Sequence, residues 1–192
     1  YGLYVDEPKL KIEADGTWER KAGTVTLGNL ILHGATLVYD SKATTVRTSP
    51  VFGIITAGSL TANLNRVQRL LKLQSDPKQT DTINGLGVGS IRIGYDGAGV
   101  DVDTDLKIDT LLVGAPADPV WKEPTCRLAL RGRYDLVADR LSLAELRTER
   151  DGLNLTAAGD VSALTTGQVI KLAGTLGYDL AKLEPQLKTL LG

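Results

Sequence analysis

The chain has 192 residues, 42% of them hydrophobic, and its 22 basic and 23 acidic side chains leave a formal charge of −1. That near-neutral balance argues against a nucleic-acid partner held by phosphate neutralisation, and the hydrophobic content argues against disorder. A single Cys excludes an internal disulfide framework and a cysteine-based zinc site, and no apolar run is long enough to span a bilayer as a helix. No signal peptide opens the chain, which lacks Met and starts at Tyr1, so it is expected to be a segment of a longer protein whose targeting signals and anchors lie elsewhere.

Residues 8–14 alternate, with Leu10 and Ile12 on one side and Lys9, Lys11 and Glu13 on the other, which predicts a half-buried strand followed by a turn at Asp15-Gly16. Residues 25–32 begin with Val25 and Leu27 in phase, but Leu30 and Leu32 have the other parity. One extra residue near Gly28-Asn29, a β-bulge, returns all four to one face. After a turn at His33-Gly34, residues 36–40, 43–48 and 51–56 read as strands. A helix is then predicted from Leu60, Leu64, Val67 and Leu71, which share one helical face, with Ser59 or Thr61 as its cap.

Residues 75–81 are a polar linker. Beyond them, 87–95 and 100–114 read as a hairpin closed by Asp96-Gly97-Ala98-Gly99. Val100, Val102, Leu106 and Ile108 occupy one face of its second strand, and Asp101, Asp103, Asp105, Lys107 and Asp109 the other. Residues 115–124, with three prolines, are expected to be a loop, after which Cys126, Leu128 and Leu130 again share a face.

From here the chain echoes itself. Ile54 to Leu73 returns as Ile170 to Thr189 at an offset of 116, with Ile54/Ile170, Ala57/Ala173, Gly58/Gly174, Leu60/Leu176 and Leu64/Leu180 identical. The offset holds upstream through Gly16/Gly132, Trp18/Tyr134, Leu27/Leu143 and Leu30/Leu146. The phase break after Leu27 therefore recurs after Leu143. A fixed offset predicts tandem repeats. The second copy gives strands at 153–157 and 158–163 and a Gly-x-Leu entry, Gly174 to Leu176, into a helix. Pro185 forbids that helix from running unbroken and is expected in the first turn of a new one after Asp179. The predicted organisation is a first copy at 1–76, a linker and hairpin at 77–116, and a second copy at 117–192.

Candidate chemistry is sparse. Asp101, Asp103 and Asp105 lack the Gly and Glu of a calcium loop and read as a solvated row on a strand. Gly85, Gly87 and Gly89 precede a strand, not the helix a phosphate loop needs. His33 has no acidic or Cys partner nearby, Cys126 is in phase with core leucines, and the Asn154-Leu155-Thr156 sequon lies inside a predicted strand. Ser59 follows Gly58 without the rest of a nucleophile elbow. No enzyme, metal or cofactor is expected.

Residues 130–161, LRGRYDLVADRLSLAELRTERDGLNLTAAGDV, together with 170–192, IKLAGTLGYDLAKLEPQLKTLLG, resemble the C-terminal AsmA-like region of bacterial AsmA/TamB-related envelope proteins. Residues 88–114 are similar to the strand pairs between such units. The most specific element is Gly174 to Leu180, and the first copy departs from it with Ala62-Asn63 in place of Tyr178-Asp179. The resemblance implies a periplasmic body, anchored in the inner membrane by a helix outside this segment, that carries phospholipid or another acyl-chain lipid along a β-trough. It carries over no catalytic residue.

The expected fold is mainly β: an elongated antiparallel sheet of two tandem repeats, curved or trough-like, with one short amphipathic helix per repeat. The residues expected to line the groove are Leu10, Ile12, Val25, Leu27, Ile91, Ile93, Val100, Val102, Leu106, Ile108, Leu128, Leu130, Leu141 and Leu143. The alternative is a non-catalytic structural or interaction module of an envelope or surface protein, with a closed core.

Overall fold

Ten strands follow one another across a single open antiparallel sheet, each hydrogen-bonded to its neighbours in sequence and none crossing over. The computed structural model describes residues 9–70, 82–115, 118–163 and 169–184. The strands are β1 (Lys11–Glu19), β2 (Thr24–His33), β3 (Leu37–Arg47) and β4 (Gly53–Asn63), then, after helix α1 (Leu64–Leu70), β5 (Thr82–Tyr95) and β6 (Gly99–Ala115). They continue as β7 (Asp118–Asp135), β8 (Arg140–Arg150), β9 (Leu153–Ser162) and β10 (Val169–Tyr178), and 180–184, the last described residues, are helical. The mainly β class follows from the alternation that runs through nearly every segment.

Bulges hold that alternation in phase. Asp15 pairs with Asn29 and Gly16 with Leu27, so Gly28 is an extra residue in β2. Arg131 pairs with Glu145 and Gly132 with Leu143, so Ala144 is an extra residue in β8, 116 positions on. Each bulge returns the leucines on its two sides to one face, as the parity break requires. Other pairs recur at the same offset: Leu37 with Ala62 and Leu153 with Tyr178, Leu30 with Ser41 and Leu146 with Ala157, Ser41 with Gly58 and Ala157 with Gly174. The strand exits match too, since the amide of Asn63 donates to the Thr36 carbonyl and that of Asp179 to the Gly152 carbonyl, each at 2.9 Å.

Several local expectations are corrected. Asp15-Gly16 is not a turn but lies inside β1, and Gly16 is needed because a Cβ there would overlap the carbonyl of Thr26. The segments 36–40 and 43–48 are one strand, β3, which absorbs its change of phase by a bulge at Lys42. Residues 153–157 and 158–163 likewise join as β9, with Gly159 at φ 140°. The expected loop at 115–124 is mostly strand. From Asp118 to Thr125, β7 pairs among the described residues with β6 alone, so Pro124 removes no donor from a second described ladder.

The helix begins at Leu64, later than expected, because 59–63 continue β4 and pair with β5. Its cap is Asn63, whose Oδ1 accepts the Arg66 amide at 3.1 Å, not Ser59 or Thr61. Gly58-Ser59-Leu60 and Gly174-Thr175-Leu176 are strand interior rather than helix entries. The second helical turn is capped by Asp179, whose Oδ1 accepts the Ala181 amide at 3.0 Å. The linker 75–81 and Pro185 lie outside the described residues.

Candidate functional site

The register assigns each side of the sheet. Following opposed pairs across it, Ile12, Val25, Leu27, Ile91, Ile93, Val100, Val102, Leu106, Ile108, Leu128, Leu130, Leu141 and Leu143 all fall on one face, and Leu10 precedes β1 in the same phase. Leu10 and Ile12 are exposed, Ile108 and Leu143 are buried, and the rest are half-buried. Sequence alternation therefore brings the expected residues together on one surface. It missed that Ile54, Leu60, Leu146, Leu155, Val161 and Leu172 extend the same rows into β4, β8, β9 and β10.

Two polar clusters interrupt this face. Beside β4, the Tyr39 hydroxyl lies 2.5 Å from Thr56 Oγ1, which is 2.6 Å from Thr44 Oγ1; Ser41 Oγ bonds Thr44 at 3.0 Å and donates to the Ala57 carbonyl at 2.8 Å. Ser41 and Thr44 are completely buried, so these mutual bonds are what make their desolvation tolerable. At the far end, Arg150 stands opposite Cys126, donates to Glu123 and stacks 4.2 Å over the Trp121 ring. Both charged side chains are 4% exposed. Desolvation pushes the Cys126 thiol up, so it behaves as a small hydrophobe rather than a nucleophile.

Both helical pieces stand at that same end. A Cβ built on Gly87 would lie 3.8 Å from Leu64 of α1, and Gln68 of α1, buried, accepts the Ile83 amide at 2.7 Å. Lys182, on the second helical turn, pairs with Asp151 at 2.5 Å, and Leu183 is buried. At the opposite end of the strands, around Val46, Tyr95, Val100 and Leu141, no helix lies among the described residues.

The other face is charged. Arg133 spans Asp101 at 2.6 Å and Asp96 at 2.8 Å, Arg131 meets Asp103 at 3.2 Å, Arg127 grips Asp105 at 2.5 Å and Arg140 meets Asp160 at 2.7 Å. Asp101, Asp103 and Asp105 thus form an ion-paired row on β6. The Arg133 guanidinium, with the amides of Ala98 and Gly99, holds Asp96 down to about 2, and Arg127 and Arg140 lower Asp105 and Asp160.

A cavity of about 980 Å³ opens on this charged face, with walls drawn from eight neighbouring strands, β2 to β9. Arg47, Arg92, Arg131, Asp101, Asp103 and Asp160 are among its lining residues. Of the fourteen residues expected to line a groove, Val102 and Leu143 touch it. The signal for it was present in the alternating Asp and Arg of 101–105 and 127–133, but only the register brings those rows side by side.

His33 is exposed at the end of β2, Ser59 is exposed within β4, and Asn154 and Thr156 are exposed within β9. The structure brings none of them to a shared site. Gly85, Gly87 and Gly89 lie within β5, and among the described residues no group of His, Cys, Asp and Glu could hold a metal ion. No helix among the described residues is long and apolar enough to cross a membrane. Comparison of the chain with family models, curated proteins and solved structures finds no match.

Proposed function

We propose that this chain is a segment of an AsmA-like periplasmic protein, built as a tandem repeat of a six-strand unit, whose apolar sheet face forms a trough for phospholipid or another acyl-chain lipid moving between membranes. The supporting observation is a largely apolar face that runs across the ten strands, interrupted by the two polar clusters and half-buried along most of its length, with no second sheet packed on it among the described residues. A sandwich core meets its partner sheet about 10 Å away and is sealed by it. The 116-residue recurrence of bulge, strand pairing and strand exit supports the repeat. Inner-membrane anchoring outside this segment follows from the resemblance, as does a role in envelope biogenesis.

A second reading, a non-catalytic interaction module with a filled core, is favoured by the position of the 980 Å³ cavity on the charged face. Native mass spectrometry of the purified chain, together with photo-crosslinking to a diazirine phospholipid from probes at Leu106 and Leu128, which do not line the cavity, or at Ser90 and Asp103, separates the two. The trough requires bound lipid and crosslinks from the first pair. Crosslinks from the second pair alone, or no lipid uptake at all, overturn it.

A further inference from the structure

Every residue of β10 is exposed, because β9 covers one of its edges and nothing among the described residues covers the other. Its apolar row is left far more open than that of β4, 116 residues earlier. Ile170 is 60% and Leu176 58% exposed, whereas their counterparts Ile54 and Leu60 are half-buried. The difference is that β4 carries β5 on the edge that no described strand covers in β10.

The two strands are otherwise built alike. A Cβ on Gly58 would overlap the Asp40 carbonyl on β3, and one on Gly174 would overlap the Thr156 carbonyl, its counterpart on β9. Edge strands that must stay unpaired usually carry charges. The other edge, β1, does so with Lys11, Glu13, Asp15 and Glu19, but β10 carries Lys171 alone.

We propose that the free edge of β10 is a docking site for an antiparallel polypeptide strand with the side-chain alternation of β5. This rests on the repeat in the reading above and not on the lipid. The partner's chemistry follows by moving the β4–β5 pairs along by 116. Ile54 meets Tyr95, Gly58 meets Ile91, Leu60 meets Gly89 and Ala62 meets Gly87. The strand on β10 therefore presents an aromatic ring to Ile170, a β-branched residue to Gly174, and glycines to Leu176 and Tyr178. Large groups face small ones at Gly174, Leu176 and Tyr178, and no acidic or basic group falls on the apolar side. Main-chain bonds to the free edge supply affinity, and these pockets supply choice.

The test adds a synthetic peptide of residues 82–95 to the full 192-residue chain. Hydrogen exchange of the amides of 169–178 is expected to slow by about tenfold or more while the β1 amides keep their rate. A nitroxide at the peptide's Tyr95 position should broaden amides near Ile170, and one at its Leu86 position those near Asp179. A scrambled peptide, or one carrying I91P, should do neither; because these changes are in the peptide, folding of the protein is not at issue. No protection of β10, protection of β1 instead, equal protection by the scrambled peptide, or a reversed broadening pattern each overturns the proposal. Lipid binding is read separately, so failure of either experiment is distinguishable from failure of the other.

Discussion

Glu123 and Arg150 form a salt bridge taken almost wholly out of water, and the Trp121 ring supplies a second contact to the guanidinium. Removing one partner of a buried pair leaves the other charge uncompensated, which typically costs about 3–5 kcal/mol. Glu123→Ala is expected to lower stability by that amount in urea denaturation. A loss below about 1 kcal/mol, the range of an exposed pair, would show that water already reaches the site. Asp96 is the opposite case, exposed and held by donors. With its folded pKa depressed from 3.8 to about 2, its contribution is present above pH 4 and is lost as pH falls through 2. Carboxyl carbon NMR should find its midpoint near 2 in the native chain and moved up towards 3.8 in Arg133→Ala. A midpoint that ignores the substitution would remove Arg133 as the leading cause. Neither contact was legible in the sequence, because 27 residues separate Glu123 from Arg150 and 37 separate Asp96 from Arg133.

Strand faces were legible because period-two alternation survives whatever the strand pairs with. Boundaries were less so. Leu60, Leu64 and Val67 suit a helical stripe, yet Leu60 also continues the strand parity of Ile54, Thr56 and Gly58, and pairing with β5 decides in favour of the strand. Gly58 shows what such pairing demands. It lies between β3 and β5, and a Cβ would overlap the Asp40 carbonyl, so Gly58→Ala should cost about 1–3 kcal/mol, the usual price of overpacking. Gly174→Ala meets the same obstacle against Thr156, but among the described residues no strand pairs with the outer edge of β10, so it can shift away. The expected result is a clearly smaller drop in urea midpoint for Gly174→Ala. Equal losses would mean that the β10 edge is as constrained as an interior strand.

Across the whole molecule, order should fall from the middle strands outwards. The buried strand residues lie in β3 to β9, among them Thr44, Ile108, Cys126, Ala129 and Leu143, whereas every residue of β1 and of β10 is exposed. Native-state hydrogen exchange is expected to protect β5 to β8 most and β1 and β10 least. Protection in β1 equal to that in β6 would contradict a sheet stabilised from its centre. The class of fold was readable at this scale because every strand pairs with its sequence neighbour, so no distant partner had to be guessed. The charged cavity was not, since its walls come from eight strands and no single stretch of sequence contains them.

The bulges at Gly28 and Ala144 carry a further consequence. An extra residue bends its strand and tightens the local twist. If the six-strand unit is a building block, each added unit contributes the same bend at the same spacing, as identical coils do in a spring. The bend per unit would then be written into one residue, and the width of the sheet into the number of units, so that duplication extends the sheet while keeping its local curvature.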